Sequence, residues 1–288
     1  MIKPFVKWAG GKTQILEKLL NFIPKKFNNY YEPFIGGGSL LFSLLPKNFC
    51  INDINSELVL AYKCFAKKES FDKLKSLLDL HTSKHSNEYY YQIRNLDRQP
   101  EYKNLSDEEK AARIIYLNKA CFNGLYRVNK NGFFNVPSGK KEKVNCYNKE
   151  NYNSIFEYFS NVDCKITNLN FEDAIKDAKA GDLVYFDPPY DTLENKHSFT
   201  SYSNETFGKN EQIKLANVFK KLSKKGVYVI LSNHKTDFVC NLYRDFNINI
   251  IKARRNINRN GKNRGDVEEV IITNFNKEVL CKQDLKNF

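Results

Sequence analysis

The run Asp187-Pro188-Pro189-Tyr190 follows Leu183-Val184-Tyr185-Phe186, an apolar stretch that reads as a buried strand. A parallel strand that stops at two prolines delivers its last side chains to the crevice at the carboxyl edge of a sheet, where α/β folds bind ligands. An ionised Asp187 only accepts hydrogen bonds, the Pro188 carbonyl is a second acceptor, and Pro188 and Pro189 have no N–H to donate. Such a corner selects a donor-only group. The exocyclic amine of a nucleobase is one, and Tyr190 offers a flat face to a base turned out of its stack. Two hydrogen bonds from that amine would rotate its lone pair out of conjugation and toward an electrophile. Taken alone, the same residues also make an ordinary turn after a strand.

A second constellation is Glu32-Pro33-Phe34-Ile35-Gly36-Gly37-Gly38-Ser39 ahead of Leu40-Leu41-Phe42. Three glycines between a strand and a helix let the backbone approach a ligand closely, and the helix N-terminus adds a favourable dipole. Asp53, ending the apolar run Phe49-Cys50-Ile51-Asn52, stands where a carboxylate commonly accepts from ribose hydroxyls. A nucleoside-bearing cofactor fits; a tight turn with Asp53 capping the next helix is the plainer reading. Gly11-Lys12-Thr13 invites comparison with a P-loop, but the required glycine at position 6 is Val6, so an NTPase is not expected. His81 and His85 stand four apart on a helical stretch without a third ligand or a Glu of the metalloprotease pattern, so a solvated face is expected there and no metal.

These residues need a scaffold. Residues 1–57 read as strand, turn, helix and strand; 58–125 switch to helical spacing, with Leu58, Ala61, Tyr62 and Phe65 on one face. Ser106 and Glu109 have capping-box spacing ahead of Ala111–Leu117. Asn131-Gly132, between Tyr126 and Pro137, signals a type I′ hairpin. Strand and helix alternate again after about 160: strands at Val162–Leu169, Leu183–Phe186 and Val227–Leu231, a helix at Glu211–Leu222, and two last strands at Ile248–Ile251 and Val267–Thr273. One sheet built from both ends of the chain, with a helical domain inserted after its second strand, is the most economical arrangement.

Of the 288 residues, 46 are Lys or Arg against 33 Asp or Glu, a formal net charge of +13 that suits a polyanionic partner, nucleic acid first. A general Lys- and Asn-rich usage would give the same balance. The seven cysteines are scattered and never form C-x-x-C, which implies neither a disulfide framework nor a zinc knuckle. No apolar run approaches the ~18 residues a bilayer needs and no signal-peptide core opens the sequence, so a cytoplasmic protein without a membrane partner is expected.

Several ordered motifs together resemble the Dam family of DNA adenine-N6 methyltransferases, the α class that includes the Dpn-type GATC enzymes. They are K-W-A-G-G-K at 7–12, E-P-F-I-G-G-G at 32–38, I-N-D at 51–53, F-N-G-L-Y-R-V-N at 122–129, F-N-V-P at 134–137, D-P-P-Y at 187–190, F-T-S-Y at 199–202 and L-S-N at 231–233. The resemblance implies a Rossmann-like mixed seven-stranded sheet formed by 1–57 and 158–288, with a target-recognition domain at 58–157 carrying a hairpin at 126–137. It implies S-adenosylmethionine as methyl donor, bound by Trp8, Ala9, Gly10, Lys12, Phe34, Ile35, Gly36, Gly37, Gly38, Asp53 and Asp187, and catalysis at Asp187, Pro188, Pro189 and Tyr190 on an adenine flipped from duplex DNA, GATC being the expected site. Phe122 matches an aromatic that wedges into the duplex, with Asn123 beside it. Leu125 and Pro137 match contacts to a thymine methyl, and Arg127 and Lys7 match guanine readers. Lys140, Lys141 and the basic loop of Arg254, Arg255, Arg259 and Arg264 are assigned to phosphates. Some relatives carry an Asp after the insert that contacts the cofactor adenine; here Asn170 and Asp173 are the candidates. Lys140 stands where an arginine-like group would give planar recognition. A monomer in solution is expected, with a cognate restriction endonuclease as a further partner. RNA adenine methylation and a non-catalytic DNA-binding role are the competing functions.

Overall fold

The computed structural model describes residues 2–8, 10, 12, 15–190, 207–254 and 266–276. Seven strands form one sheet: β1 (Tyr30–Glu32), β2 (Asn48–Asn52), β3 (Asp163–Thr167), β4 (Leu183–Phe186), β5 (Tyr228–His234), β6 (Asn247–Arg254) and β7 (Asp266–Thr273). Their order is β3-β2-β1-β4-β5-β7-β6. β1 to β5 pair in parallel, and β7 runs antiparallel to both of its neighbours. This is the mixed seven-stranded sheet expected from the sequence. The order turns back between β1 and β4, which are paired directly, Tyr30 beside Leu183 and Tyr31 beside Val184. At such a switch point the loops leaving the two strands diverge and open a crevice.

Period-2 alternation divides the apolar side chains between the two faces of the sheet. Tyr30, Phe49, Ile51, Leu183, Tyr185, Ile230 and Ile271 face one core, whereas Tyr31, Cys50, Val184, Phe186, Val229, Leu231, Val270 and Ile272 face the other. The second core is closed by α8 (Phe171–Ala174), α9 (Lys209–Lys224) and α10 (Asp237–Leu242) through Phe171, Leu215, Phe219 and Val239. Each such side chain removed from water contributes about 1.5–3 kcal/mol. Gly226, at φ +78°, ends the α9 turn in the left-handed region that a C′ glycine favours.

The first core extends without a break into the chain between β2 and β3. There α3 (Ser56–Cys64), α4 (Lys68–Ser83), α5 (Asn87–Asn95), α6 (Asp107–Ala120) and α7 (Lys149–Ser160) follow one another, after the shorter α1 (Leu16–Leu20) and α2 (Leu41–Leu44). The Ser106–Glu109 capping box opens α6 with both reciprocal bonds made. Arg113, in the middle of α6, is fully buried and bonds Glu57 at 2.7 Å, Asp97 at 2.8 Å and the Ile93 and Arg94 carbonyls. Asp97 in turn accepts from the Phe134 backbone at 2.7 Å, so one buried guanidinium ties α3 and α5 to the segment that follows α6.

Two expectations need correction. The turn at 129–133 is not type I′: among its central residues only Gly132 has positive φ, at +81°, and Asn131 does not. Gly132 N–H donates to Asn129 and Asn129 N–H to Phe133, a three-residue hairpin loop with glycine at the left-handed position, flanked by the antiparallel Val128–Phe134 bridge. His81 does not lie on a solvated face. It is buried, stacked 4.9 Å from the Tyr116 ring and 2.8 Å from the Tyr89 hydroxyl, and desolvation lowers its pKa to about 4. His85 bonds the Tyr116 hydroxyl at 2.8 Å and the Lys141 carbonyl at 3.0 Å. Among the described residues no helix is long and apolar enough to cross a membrane.

Candidate active site

The loop leaving β1 needs its glycines for two separate reasons. Gly36 and Gly38 have φ of +47° and +71°, and a Cβ would stand 2.9 Å from Trp8 Cδ1 at Gly36 and 2.7 Å from the Tyr62 hydroxyl at Gly38. The loop is pinned from outside itself. Tyr62 donates to the Gly36 carbonyl at 2.9 Å, and Gly36 N–H donates to Asp53 Oδ2 at 3.0 Å. Asp53 Oδ1 accepts from the Asn55 backbone at 2.9 Å. Burial raises the Asp53 carboxyl to about 6, with the Asn55 and Gly36 bonds pulling it back. It is Asn55, not Asp53, that caps α3.

Around Asp53 the sheet edge is apolar and open: Ile54 is 59% exposed and Leu169 41%. β3 stops at Thr167 because the next residues turn to side-chain partners. Asn168 donates to the Asp53 and Ile54 carbonyls, and Asn52 holds Leu169 through both its N–H and its carbonyl. Sequence reading missed Ile54 and Leu169; the signal available was an apolar residue two positions beyond each of two strand ends. The other cofactor candidates divide. Trp8, Gly36, Gly37 and Asp53 gather in one place. Phe34 turns into an aromatic cluster with Phe171, Phe186 and Phe207, and Ile35 is buried. Asn170 caps α8 with its side-chain oxygen. Ala9 lies outside the described residues.

At the end of β4, Asp187 is 18% exposed and pairs with Lys12, 6% exposed, at 2.6 Å. Ser232 of β5 donates to the same carboxylate oxygen, Oδ1, at 2.9 Å and is itself bonded to the Tyr185 hydroxyl at 2.9 Å. Desolvation pushes the Asp187 carboxyl upward, and Lys12 and Ser232 oppose the shift. The Lys12 ammonium also donates to the Gly10 carbonyl at 2.7 Å and lies 4.4 Å from the centre of the Tyr190 ring. Tyr190 is fixed at its far end by Glu269 of β7, at 3.1 Å, and meets His234 edge to face at 4.7 Å. Gln212 holds the Pro189 carbonyl and is held by Asn233. Glu32, at the end of β1, is a buried carboxyl bonded by Tyr30 at 2.8 Å; burial raises its pKa well above the usual range and the Asp187 charge adds to the rise. Ser232, Glu32 and Glu269 were given no role from the sequence, although Ser232 lies within the L-S-N motif and Glu32 opens E-P-F-I-G-G-G.

The candidate nucleic-acid residues cluster at the end of α6. Asn118 clamps Lys7 by a bond to its N–H (2.9 Å) and one from its own amide to its carbonyl (2.7 Å), and donates to Gly124 at 3.0 Å. Phe122 is 53% exposed, and its N–H donates to the Pro137 carbonyl at 3.0 Å. Asn123 adopts φ +56°, a conformation Asn tolerates better than most residues. Arg127 is oriented by Asn135 at 2.7 Å. Lys140 is exposed, and Lys141 reaches back to the Lys119 carbonyl. Leu125 is half-buried and Pro137 exposed. Arg254 ends β6; Arg255, Arg259 and Arg264, like the F-T-S-Y motif, lie outside the described residues.

Residues 8–257 match the family described as D12 class N6 adenine-specific DNA methyltransferase. The chain is 44% identical over 274 residues to the type II methyltransferase M1.LlaDCHI of Lactococcus lactis subsp. cremoris, covering 95% of this chain and 96% of the relative. It is 40% identical over 291 residues to the type II methyltransferase M.MjaIII of Methanocaldococcus jannaschii, covering 95% and 99%. Similarity to the DNA adenine methylase of Escherichia coli K12 is 30% over 277 residues, covering 93% and 94%.

Proposed function

The chain belongs to the D12 class of N6 adenine-specific DNA methyltransferases, and from that premise we propose that it methylates adenine N6 within GATC in duplex DNA, on a base turned out of the helix into the corner formed by 187–190. One observation carries the reading: a donor-only group, the Lys12 ammonium, rests on Asp187 and over Tyr190. An aminopurine would use the same two partners, its amine on the carboxylate and its ring against the tyrosine. Lys12 and Ser232 both meet Oδ1 of Asp187, which leaves Oδ2 for the amine.

The family implies S-adenosylmethionine, and the residues gathered beyond the carboxyl ends of β1, β2 and β3 fit it. Gly36 and Gly37 admit close backbone approach, Asp53 is a carboxylate suited to ribose hydroxyls, and Ile54 and Leu169 are apolar surfaces suited to a purine. When bound, it supplies an electrophilic methyl group on a sulfonium. The protein's part is orientation. Asp187 and the Pro188 carbonyl would hold the amine with its lone pair turned toward the donor's methyl group, and the surplus N6 proton would pass to solvent water after transfer. Asp187 positions the amine and is not required as a base before attack.

Extrusion of the base costs a few kcal/mol, offset by wedging and phosphate contacts. In this reading Phe122 is the wedge with Asn123 beside it, Arg127 and Lys7 read guanines, Leu125 and Pro137 meet a thymine methyl, and Lys140, Lys141 and the basic loop from Arg254 hold phosphates. The names of two relatives, type II methyltransferases, support a place in a restriction–modification pair. Tritiated methyl transfer to duplexes carrying GATC and each of its single-base variants tests target base and site together. Label on adenine N6 of the GATC duplex alone is expected; equal labelling of all variants would refute the site, and no labelling would refute the activity.

A further inference from the structure

Trp8 links the cofactor loop after β1 to the segment that follows α6. One side of its indole lies against Gly36 of the cofactor loop, so close that a single added methyl group there would stand 2.9 Å from Cδ1. The ring also stacks on Tyr126, with centroids 4.9 Å apart and an interplanar angle of 24°. Tyr126 belongs to the segment after α6. Its ring meets Phe134 edge to face at 5.6 Å, its hydroxyl is hydrogen-bonded to the Asn55 side chain, and its chain neighbour is Arg127. The Asn55 backbone N–H in turn donates to Asp53. A continuous packed path therefore runs from the guanine-reading candidate, through Tyr126 and Trp8, to the glycine bend.

We propose that Tyr126 is a positioning residue that couples the two substrates: the DNA-reading segment, once seated on a duplex, presses Tyr126 against Trp8 and fixes the wall of the methyl-donor site. The inference rests on the proposed function and adds a property to it. Stacked rings at this separation resist relative sliding, and Gly36 leaves the indole no room to retreat. Movement of 125–134 is thus transmitted to Trp8 instead of being absorbed. Reciprocity is required: bound donor or product must tighten the duplex by the same factor that the duplex tightens it.

The chain has a single tryptophan, so its emission reports this wall directly. S-adenosylhomocysteine, which cannot react, is titrated against Trp8 emission with and without a GATC duplex, and duplex affinity is read by anisotropy with and without S-adenosylhomocysteine. Wild type is expected to bind each ligand at least 5-fold tighter in the presence of the other. Y126F, which keeps the stack, is expected to retain that factor. Y126L, which fills the space without an aromatic face, and Y126A are expected to bring it within 2-fold of unity while duplex affinity in the absence of the nucleoside stays near the wild-type value. Coupling of wild-type size in Y126L, or independent binding of the two ligands by the wild-type protein, overturns the inference and leaves the proposed function standing. Failure of wild type to bind S-adenosylhomocysteine at all overturns both.

Discussion

Replacing Asp187 by Asn isolates the orienting role of the carboxylate. Among the described residues both donors to Asp187, Lys12 at 2.6 Å and Ser232 at 2.9 Å, meet Oδ1, which leaves Oδ2 for the substrate amine. Those two donors also dictate how an asparagine must sit: its oxygen takes the Oδ1 place and its NH₂ faces the amine, donor against donor. The hydrogen bond lost is a charge-assisted one, about 1.5–3 kcal/mol, and removing a preorganised group aimed at developing charge costs about 2.7–4 kcal/mol in comparable sites. At 1.4 kcal/mol per tenfold, methyl transfer should slow by about 10²–10³-fold. Lys12 would lose its counter-charge in a buried site, which destabilises by up to about 3–5 kcal/mol, so the unfolding midpoint must be followed alongside. Ser232→Ala removes one hydrogen bond to the carboxylate without altering charge and should slow transfer by only about 5-fold, the equivalent of ~1 kcal/mol. The assay is single-turnover methylation with enzyme in excess and donor saturating. A folded Asn variant that transfers within threefold of wild type would refute the role given to Asp187.

Gly36→Ala should weaken S-adenosylhomocysteine binding about tenfold, because the new Cβ meets Trp8 at 2.9 Å and φ of +47° costs a non-glycine residue about 1–2 kcal/mol; titration of Trp8 emission reads it, and unchanged affinity counts against a cofactor wall at Trp8. Cofactor affinity should fall as pH drops through about 6, where Asp53 takes up a proton and ceases to accept two ribose hydroxyls, and Asp53→Asn should flatten the profile. The sign for stability is opposite. A carboxyl raised from its unfolded value near 4 to about 6 favours the folded state below pH 4, and that contribution is lost as pH rises to 6, which urea denaturation across this window can detect. Arg113→Met leaves Glu57 without its cation and Asp97 with Arg98 alone, and should destabilise by about 3–5 kcal/mol in the same measurement, whereas a loss under 1 kcal/mol would show that the cluster is dispensable. Arg127→Ala should relax base choice at one guanine, by about 1–3 kcal/mol of discrimination, more than it weakens binding overall; a uniform loss on every duplex would contradict base reading.

Much of this was legible in the sequence for a definite reason. Strands with alternating apolar faces, and prolines or glycines at their ends, advertise local structure, so β1, β2, β4 and the two loops at the crevice could be read directly. Pairings between distant positions carry no such signature. Nothing near Lys12 announces Asp187, and nothing near Gly36 announces Tyr62 or Trp8. His81 reads as solvated and Arg113 is a charge within an apolar run; both are buried because partners arrive from other elements, Glu57 and Asp97 for Arg113, Tyr89 and Tyr116 for His81. The hairpin dipeptide at 131–132 marked a turn correctly but not its type, since a longer loop uses the same glycine at a different position.

The unbroken first core bears on how such a protein can change its target. Phe65 touches Phe5, Tyr152 and Phe159, which bring together the amino-terminal segment, the link from α3 to α4, and α7. A reader built this way cannot be cut out and exchanged like a cassette, because excision would strip oil from both halves at once. On the proposed assignment, new specificity would have to be acquired at the rim, residue by residue between 122 and 141, on a body with one continuous core.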